Sequence, residues 1–236
     1  MDEIGTEAPD PHPGSEGFDR RAADIEARRF FDELWAEQDP WALEESALDQ
    51  RRYERQLELL AGRRYERALE IGCAAGAFTR LIAPLCDELV ALDVSRHALE
   101  RARARPGLDG VELRLANVME LDLGGEGSWD LVVLTETAYY LGWLYPMFEI
   151  GWLAHSLHEA TRPGGHLLLA NTIWRDDGIM SPWLIRSYRD LFGHVGYSVA
   201  SEEVLGGEKD SVELEILITL FRRDQDEPGP GPGSDP

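Results

Sequence analysis

Basic residues are scarce: the 236-residue chain holds 23 Lys and Arg against 45 Asp and Glu, a formal net charge of −22. Nine of the acids lie in residues 1–17 and 224–236 with no base beside them, and the stretch between is still strongly acidic. A surface of that sign repels nucleic acid and anionic membrane, which argues against either as substrate or partner. Its plainest use is solubility. Cysteine is nearly absent. Cys73 and Cys86 offer neither a disulfide framework nor a zinc-ligand spacing, and a reducing cytoplasm is the expected location. No apolar run reaches the ~18 residues of a membrane span. The opening residues, MDEIGTEAPDPHPGSEG, lack the basic and apolar regions of a secretory signal. No internal repeat is found.

What is present is an alternation of strand and helix. Residues 1–17 and 224–236 read as disordered acidic tails, because Pro, Gly and charge cannot bury enough apolar surface to offset the entropy of ordering. Residues 18–62 hold two helices. One covers 18–38 and stops at Asp39-Pro40; the other covers 46–61, with Ser46 as N-cap and Gly62 as terminator. Residues 63–223 form the core. Strands are predicted at 68–71, 88–93, 111–117, 129–136 and 166–171, with helices at 76–84, from Ser95 to about Arg105, and at 148–161. Single helices between strands require parallel pairing with right-handed crossovers. The end of the chain differs: 197–205 and 211–223 flank the turn GGEKD with no helix between them, a hairpin that places one strand antiparallel. The expected class is α/β, a mostly parallel seven-stranded sheet. Such sheets bind ligands beyond the carboxyl ends of their strands, at the switch in strand order.

The first turn at that edge is ALEIGCAAGAF, residues 68–78. A phosphate cradle of the G-x-x-x-x-G-K-[ST] kind is excluded, since no lysine lies here. A dinucleotide fingerprint, G-x-G-x-x-G, is disfavoured: Gly72 and Gly76 frame Cys73-Ala74-Ala75, so the central glycine is missing. S-adenosylmethionine suits the loop better, because it has no phosphate and asks only for small residues and close approach. Its ribose diol needs an acid at the end of the second strand, where a carboxylate accepts two hydroxyl hydrogen bonds; Asp93 stands there. Asn117, ending the third strand, suits the adenine edge. Duller accounts exist: the two glycines permit close strand–helix packing, and Asp93 caps a helix beside Ser95.

LEIGCAAGAFT, VALDVS, the ANV at 116–118, WDLVVLTETAYYL and RPGGHLLLAN, in this order, resemble a class I S-adenosylmethionine-dependent methyltransferase. DPW (39–41), RRYERQLELL (51–60), CDELVALDVSRHAL (86–99) and LTETAYYL (134–141) make the NodS-like branch the most similar; its namesake N-methylates an amino-sugar end of a chitooligosaccharide. The resemblance covers roughly residues 29–222. It implies a Rossmann-like core at 63–223 with helices on both faces, and an N-terminal helical lid at 18–62. It also implies a cofactor loop of Glu70, Gly72, Ala74 and Gly76, with Asp93 on the ribose, Val94 on the adenine, Asn117 and Val118 at its rim, and Thr135 near the methionine part. Trp35, Trp41 and Tyr53 would close over the cofactor, with Arg52 meeting its carboxylate. Ala74 replaces a usual glycine, tolerable if its φ stays negative, and Asn117 replaces a common aspartate.

Methyl transfer is an in-line displacement with an excellent leaving group, so the protein mostly positions, dehydrates and deprotonates the nucleophile. The group responsible must lie at the carboxyl edge. That rule sets aside His166, at the amino end of its strand, and also His97, His155, His158 and His194, which form no metal cluster. It selects Glu136 to orient or deprotonate the acceptor, Tyr139 or Tyr140 to hydrogen-bond it, and Asn171 to orient substrate or Glu136. The aromatic stretches 142–153 and 172–185 wall the acceptor pocket. The function expected is methylation of a small molecule, at nitrogen of an amino sugar or related natural-product intermediate. The alternatives are O-methylation of a sugar or phenolic polyketide, and a non-catalytic module of the same fold. A nicotinamide dehydrogenase stands further back.

Overall fold

The computed structural model describes residues 18–177 and 182–224. The expected tails at 1–17 and 224–236, apart from Asp224, and part of the 172–185 wall lie outside the described residues. The elements run α1 (Arg20–Leu34), α2 (Ala47–Leu60), β1 (Tyr65–Ile71), α3 (Thr79–Ile82), β2 (Cys86–Asp93), α4 (Arg96–Arg103), β3 (Glu112–Leu115), β4 (Trp129–Thr135), α5 (Ala138–Leu144), α6 (Met147–Ala160), β5 (Thr161–Arg175), α7 (Pro182–His194), β6 (Tyr197–Lys209) and β7 (Val212–Arg223).

The sheet has seven strands in the order β3-β2-β1-β4-β5-β7-β6. The first five pair in parallel and β7 is antiparallel to β5 and β6. Strand order therefore reverses between β1 and β4. Alternate strand residues feed two cores, as a sheet buried on both faces requires. Leu69, Ile71, Val132, Leu134, Leu167 and Leu169 pack with α6 and α7, whereas Ala68, Leu131, Val133, Leu168 and Ala170 pack with α2 and α3. The Rossmann-like α/β class stands as read from the sequence.

Local differences have local causes. The helix expected at 76–84 shrinks to Thr79–Ile82, because residues 74–78 are wound into the turn after β1 and Pro84 tightens the chain into a 3₁₀ turn. Helix α5 was not expected inside the aromatic stretch, which is apolar all round and shows no helical period. β5 starts five residues early, with the RPGG segment forming an irregularity between Trp129–Thr161 and Leu131–His166 pairing. It also continues to Arg175 as partner of β7. The hairpin turn is two residues, Asp210 and Ser211, both with positive φ (54° and 62°), the conformation that matches the twist of paired strands.

Candidate active site

A cavity of about 670 Å³ opens at the carboxyl edge of the sheet, over the β1–β4 switch. One end is the turn after β1. The Leu92 carbonyl accepts from Gly72 N (2.8 Å) and Cys73 N (2.9 Å), folding the turn back over β2. Gly72 has φ +77°, and a methyl there would collide with Thr137 Oγ1. Thr137 in turn donates to Ile71 O (3.1 Å) and Thr135 O (2.9 Å), tying the β4–α5 turn to the loop.

Ala74 does not meet the condition set for it. Its φ is +51°, not negative, a left-handed conformation that costs a non-glycine residue about 1–2 kcal/mol. Two contacts hold it: its N–H donates to Asp93 Oδ2 (2.8 Å), and its methyl packs against the cluster of Trp35, Ala75 and Ala98. Asp93 Oδ1 accepts from Ser95 N (2.8 Å), so both carboxylate oxygens are fixed by amides and keep acceptor capacity. Burial, against those amide bonds, pushes the Asp93 pKa up to about 6. Burial and the neighbouring Asp93 push Glu70 up to about 7, and Glu70 Oε2 has no hydrogen-bond partner.

Asn117 lines the cavity, but its amide is committed elsewhere. Oδ1 caps Met119 N (3.1 Å), and Nδ2 donates to Asp24 Oδ1 (3.1 Å) and the Tyr145 hydroxyl (2.7 Å). Tyr145 also donates to Asp24 at 2.6 Å. The Asn117 amide thus latches α1 to the end of β3, while Oδ1 keeps a second lone pair. Val94 and Val118 line the cavity beside it.

The N-terminal helices cover the opening. Asp32 accepts from Ser95 Oγ (3.1 Å) and His97 N (3.2 Å), while Arg101 binds the Trp35 carbonyl. Those donors and the His97 charge hold the Asp32 carboxyl below its usual range despite burial. Trp35 is 1% exposed and meets Trp41 edge-on at 5.5 Å; Tyr53 stacks on Phe78 at 5.3 Å. Burial pushes the Tyr53 phenol up to about 12.

The other end of the cavity is built from distant segments. Glu136 follows β4 with φ +51°. Its Oε2 accepts from Thr172 Oγ1 (2.9 Å), and its Oε1 lies 3.0 Å from Arg52 Nη1 as an ion pair without an aligned hydrogen bond. Arg52 also pairs with Asp49 (2.8 Å), and Asp49 with Lys209 of the β6–β7 hairpin. Burial opposes the Arg52 charge, but its acidic neighbours more than offset this and its pKa stands above the usual value. Thr135 Oγ1 donates to Gln56 (3.2 Å). Rings of Phe31, Trp41, Tyr139 and Tyr140 gather here, with Tyr140 centroids 4.4 Å from Tyr139, 4.9 Å from Phe31 and 6.1 Å from Trp41. Burial and the Glu136 charge raise the Tyr139 pKa well above normal, so its hydroxyl stays protonated.

Of the residues singled out from the sequence, Glu70, Gly72, Ala74, Asp93, Val94, Asn117, Val118, Thr135, Trp41, Arg52, Tyr53, Glu136 and Tyr139 line this one cavity. Gly76 and Asn171 do not. A methyl on Gly76 would lie 2.7 Å from Leu108 Cδ1, so its role is close packing against the α4 region. Asn171 is fully buried, accepting from Ala138 N (2.9 Å) and donating to Leu134 O (3.2 Å); it braces the β4–α5 turn and touches neither Glu136 nor the cavity. Thr172 takes the place expected of it. Side chains alternate along a strand, and extending β5 past 171 would have separated the two. Asp24, Gln56, Arg175, Lys209 and Asp210 were missed, since nothing in their local sequence marks them as neighbours of this site.

Comparison with known proteins agrees with this geometry. The family model for nodulation protein S (NodS) matches residues 24–148. Nodulation protein S of Rhizobium tropici is 35% identical over 189 residues, 79% of this chain and 76% of the relative. The chain belongs to the NodS family of class I S-adenosylmethionine-dependent methyltransferases. The protein of Sinorhizobium fredii is 34% identical over 140 residues, 58% of this chain and 62% of that relative. The N-methyltransferase NodS of Bradyrhizobium japonicum WM9, solved with S-adenosyl-L-homocysteine, superposes with a TM-score of 0.70 at 24% identity, over 84% of this chain and 98% of that one. The family resemblance thus spans the switch-point loop, the N-terminal helices and the Glu136 turn alike. Among the described residues, no helix is long and apolar enough to cross a membrane.

Proposed function

We propose that this methyltransferase acts on the nitrogen of a small-molecule amine, an amino sugar or a related natural-product intermediate. One observation carries the reading: the Glu136 carboxylate stands at the carboxyl end of β4 among the Tyr139, Tyr140 and Trp41 rings, a setting that attracts a cationic amine through charge and π faces. The name of the Bradyrhizobium relative, an N-methyltransferase, points the same way.

The residues at the other end fit the cofactor. Asp93, fixed by two amides, suits a ribose diol; the buried Glu70 Oε2, without a hydrogen-bond partner, suits an ammonium, and the Arg52 guanidinium suits a carboxylate. Bound there, S-adenosylmethionine supplies a methyl carbon to the acceptor's lone pair as the C–S bond breaks and sulfur keeps that electron pair. Glu136 orients the nitrogen and receives its proton on the way to water. The protonated Tyr139 hydroxyl offers a hydrogen bond to the acceptor. The N-terminal helices act as a lid that excludes water.

The test is methyl transfer to a chitooligosaccharide with a free terminal amine, beside the fully N-acetylated oligomer, with the product analysed by NMR. An N-methyl signal from the free amine alone is expected. An O-methyl product, or equal transfer to both acceptors, would instead establish O-methylation and remove the amine reading.

A further inference from the structure

Arg52 stands between the two ends of the cavity. Its side chain is 3% exposed and holds two carboxylates, Asp49 on its own helix and Glu136 across the cavity. The arrangement is balanced in charge: Arg52 and Lys209 against Asp49 and Glu136. It is not satisfied in hydrogen bonds, since Arg52 Nε, Gln56 Nε2 and Glu136 Oε1 all lack partners. A buried guanidinium between two acids leaves Glu136 neutralised, and a neutralised carboxylate has little attraction for an ammonium. Pulling Glu136 off Arg52 with nothing in exchange would leave Arg52 with Asp49 alone and a half-buried carboxylate unpaired, which is unfavourable.

We infer that Arg52 exchanges partners: the carboxylate of the cofactor displaces Glu136 from Arg52, and Glu136 becomes available to the acceptor only then, so that the cofactor binds first. This rests on the cofactor and acceptor assignments above. The geometry says which acid lets go. Asp49 sits three residues from Arg52 on the same helix and is also held by Lys209, so it stays. Glu136 comes from the opposite wall and keeps its bond to Thr172, which holds it in place while its ion pair is surrendered. Arg52 is on this account a positioning residue for Glu136 as well as a cofactor ligand.

The consequence is a competition visible in binding alone. Calorimetric titration with S-adenosylhomocysteine should give Glu136→Gln an affinity about tenfold tighter than wild type, roughly the weight of one lost competing contact. Decarboxylated S-adenosylhomocysteine, which cannot claim Arg52, should bind variant and wild type alike. Glu136→Asp, which keeps the charge but draws it back by one methylene, should move in the same direction by a smaller factor and guards against misfolding of the first variant. Unchanged or weaker binding of S-adenosylhomocysteine by both variants would overturn the exchange, as would an equal gain for the decarboxylated ligand. Absence of S-adenosylhomocysteine binding by wild type would overturn the cofactor assignment itself, a result separable from either.

Discussion

Apart from the N-terminal helices that cover it, the cofactor end of the cavity comes from residues 70–118, in the order the chain runs, whereas the Glu136 end draws on α1, α2, the β4–α5 turn, the tail of β5 and the tip of the β6–β7 hairpin. The two ends also differ in what holds them. Around Asp93 the partners are backbone amides, set by the turn and the helix cap. Around Glu136 they are side chains from other elements, Arg52 and Thr172. Backbone partners are insensitive to most substitutions, while side-chain partners are replaced one by one. The cofactor end is therefore the conservative half of such a site and the acceptor end the adaptable one.

The sharpest way to break that contrast is Glu136→Gln. Turnover should fall by about 100-fold or more if this group handles the acceptor's proton, while S-adenosylhomocysteine binding survives; full turnover across the pH range would remove the role. Asp93→Ala addresses the other end. Losing a charged acceptor for two hydroxyls should weaken S-adenosylhomocysteine by about 100-fold, roughly 3 kcal/mol, and calorimetry reads it directly. Affinity within a few-fold of wild type would mean that the ribose is held elsewhere.

Acidity probes the same end more gently. Asp93, pushed up to about 6 by burial, must ionise to accept the diol. S-adenosylhomocysteine binding should then fall roughly tenfold between pH 8 and pH 5. Stability of the ligand-free protein runs the opposite way. Asp93 and Glu70 have folded values raised above those of an unfolded chain, near 4. Their contribution is full at low pH and is lost as pH rises through about 6 to 7. Thermal unfolding should show the stabilisation by S-adenosylhomocysteine growing from pH 5 to pH 8, and a constant ligand-induced shift would separate these acids from binding. The smallest effect is Ala74→Gly. Relief of the left-handed strain, partly cancelled by the flexibility of glycine in the unfolded chain, should add up to about 1 kcal/mol, measured by denaturant unfolding. A loss of stability would mean that the packing of the Ala74 methyl against the Trp35, Ala75 and Ala98 cluster outweighs the strain.

Much of the cofactor end was legible because its signals are local. An acid, a small-residue turn and a second acid at the next strand end reveal their neighbourhood as soon as the strands are known to be parallel. Even so, the φ of Ala74 could not be read, because the hydrogen bond from its amide to Asp93 exists only when β1 and β2 are paired. The latch made by Asn117 was hidden for the same kind of reason: Asp24 and Tyr145, which bond its amide nitrogen, are far away in the chain. At the acceptor end the signals thin out. Glu136 was reachable from its place after a strand, but its ties to Arg52 and Thr172 were not, and the neighbouring Asn171 was chosen on a strand that ended too early.

What the amino-acid sequence by itself determined is the α/β class, the strands that build the sheet and the edge at which ligands meet it, since hydrophobic period and turn residues act over a few positions and parallel pairing follows from the single helices between strands. Folding alone settles which charges neutralise one another across the cavity, which glycine or asparagine merely packs, and which hairpin tip reaches the cavity. Those outcomes depend on distances between segments far apart in the chain, and no local pattern of residues encodes a distance that the packed core alone sets.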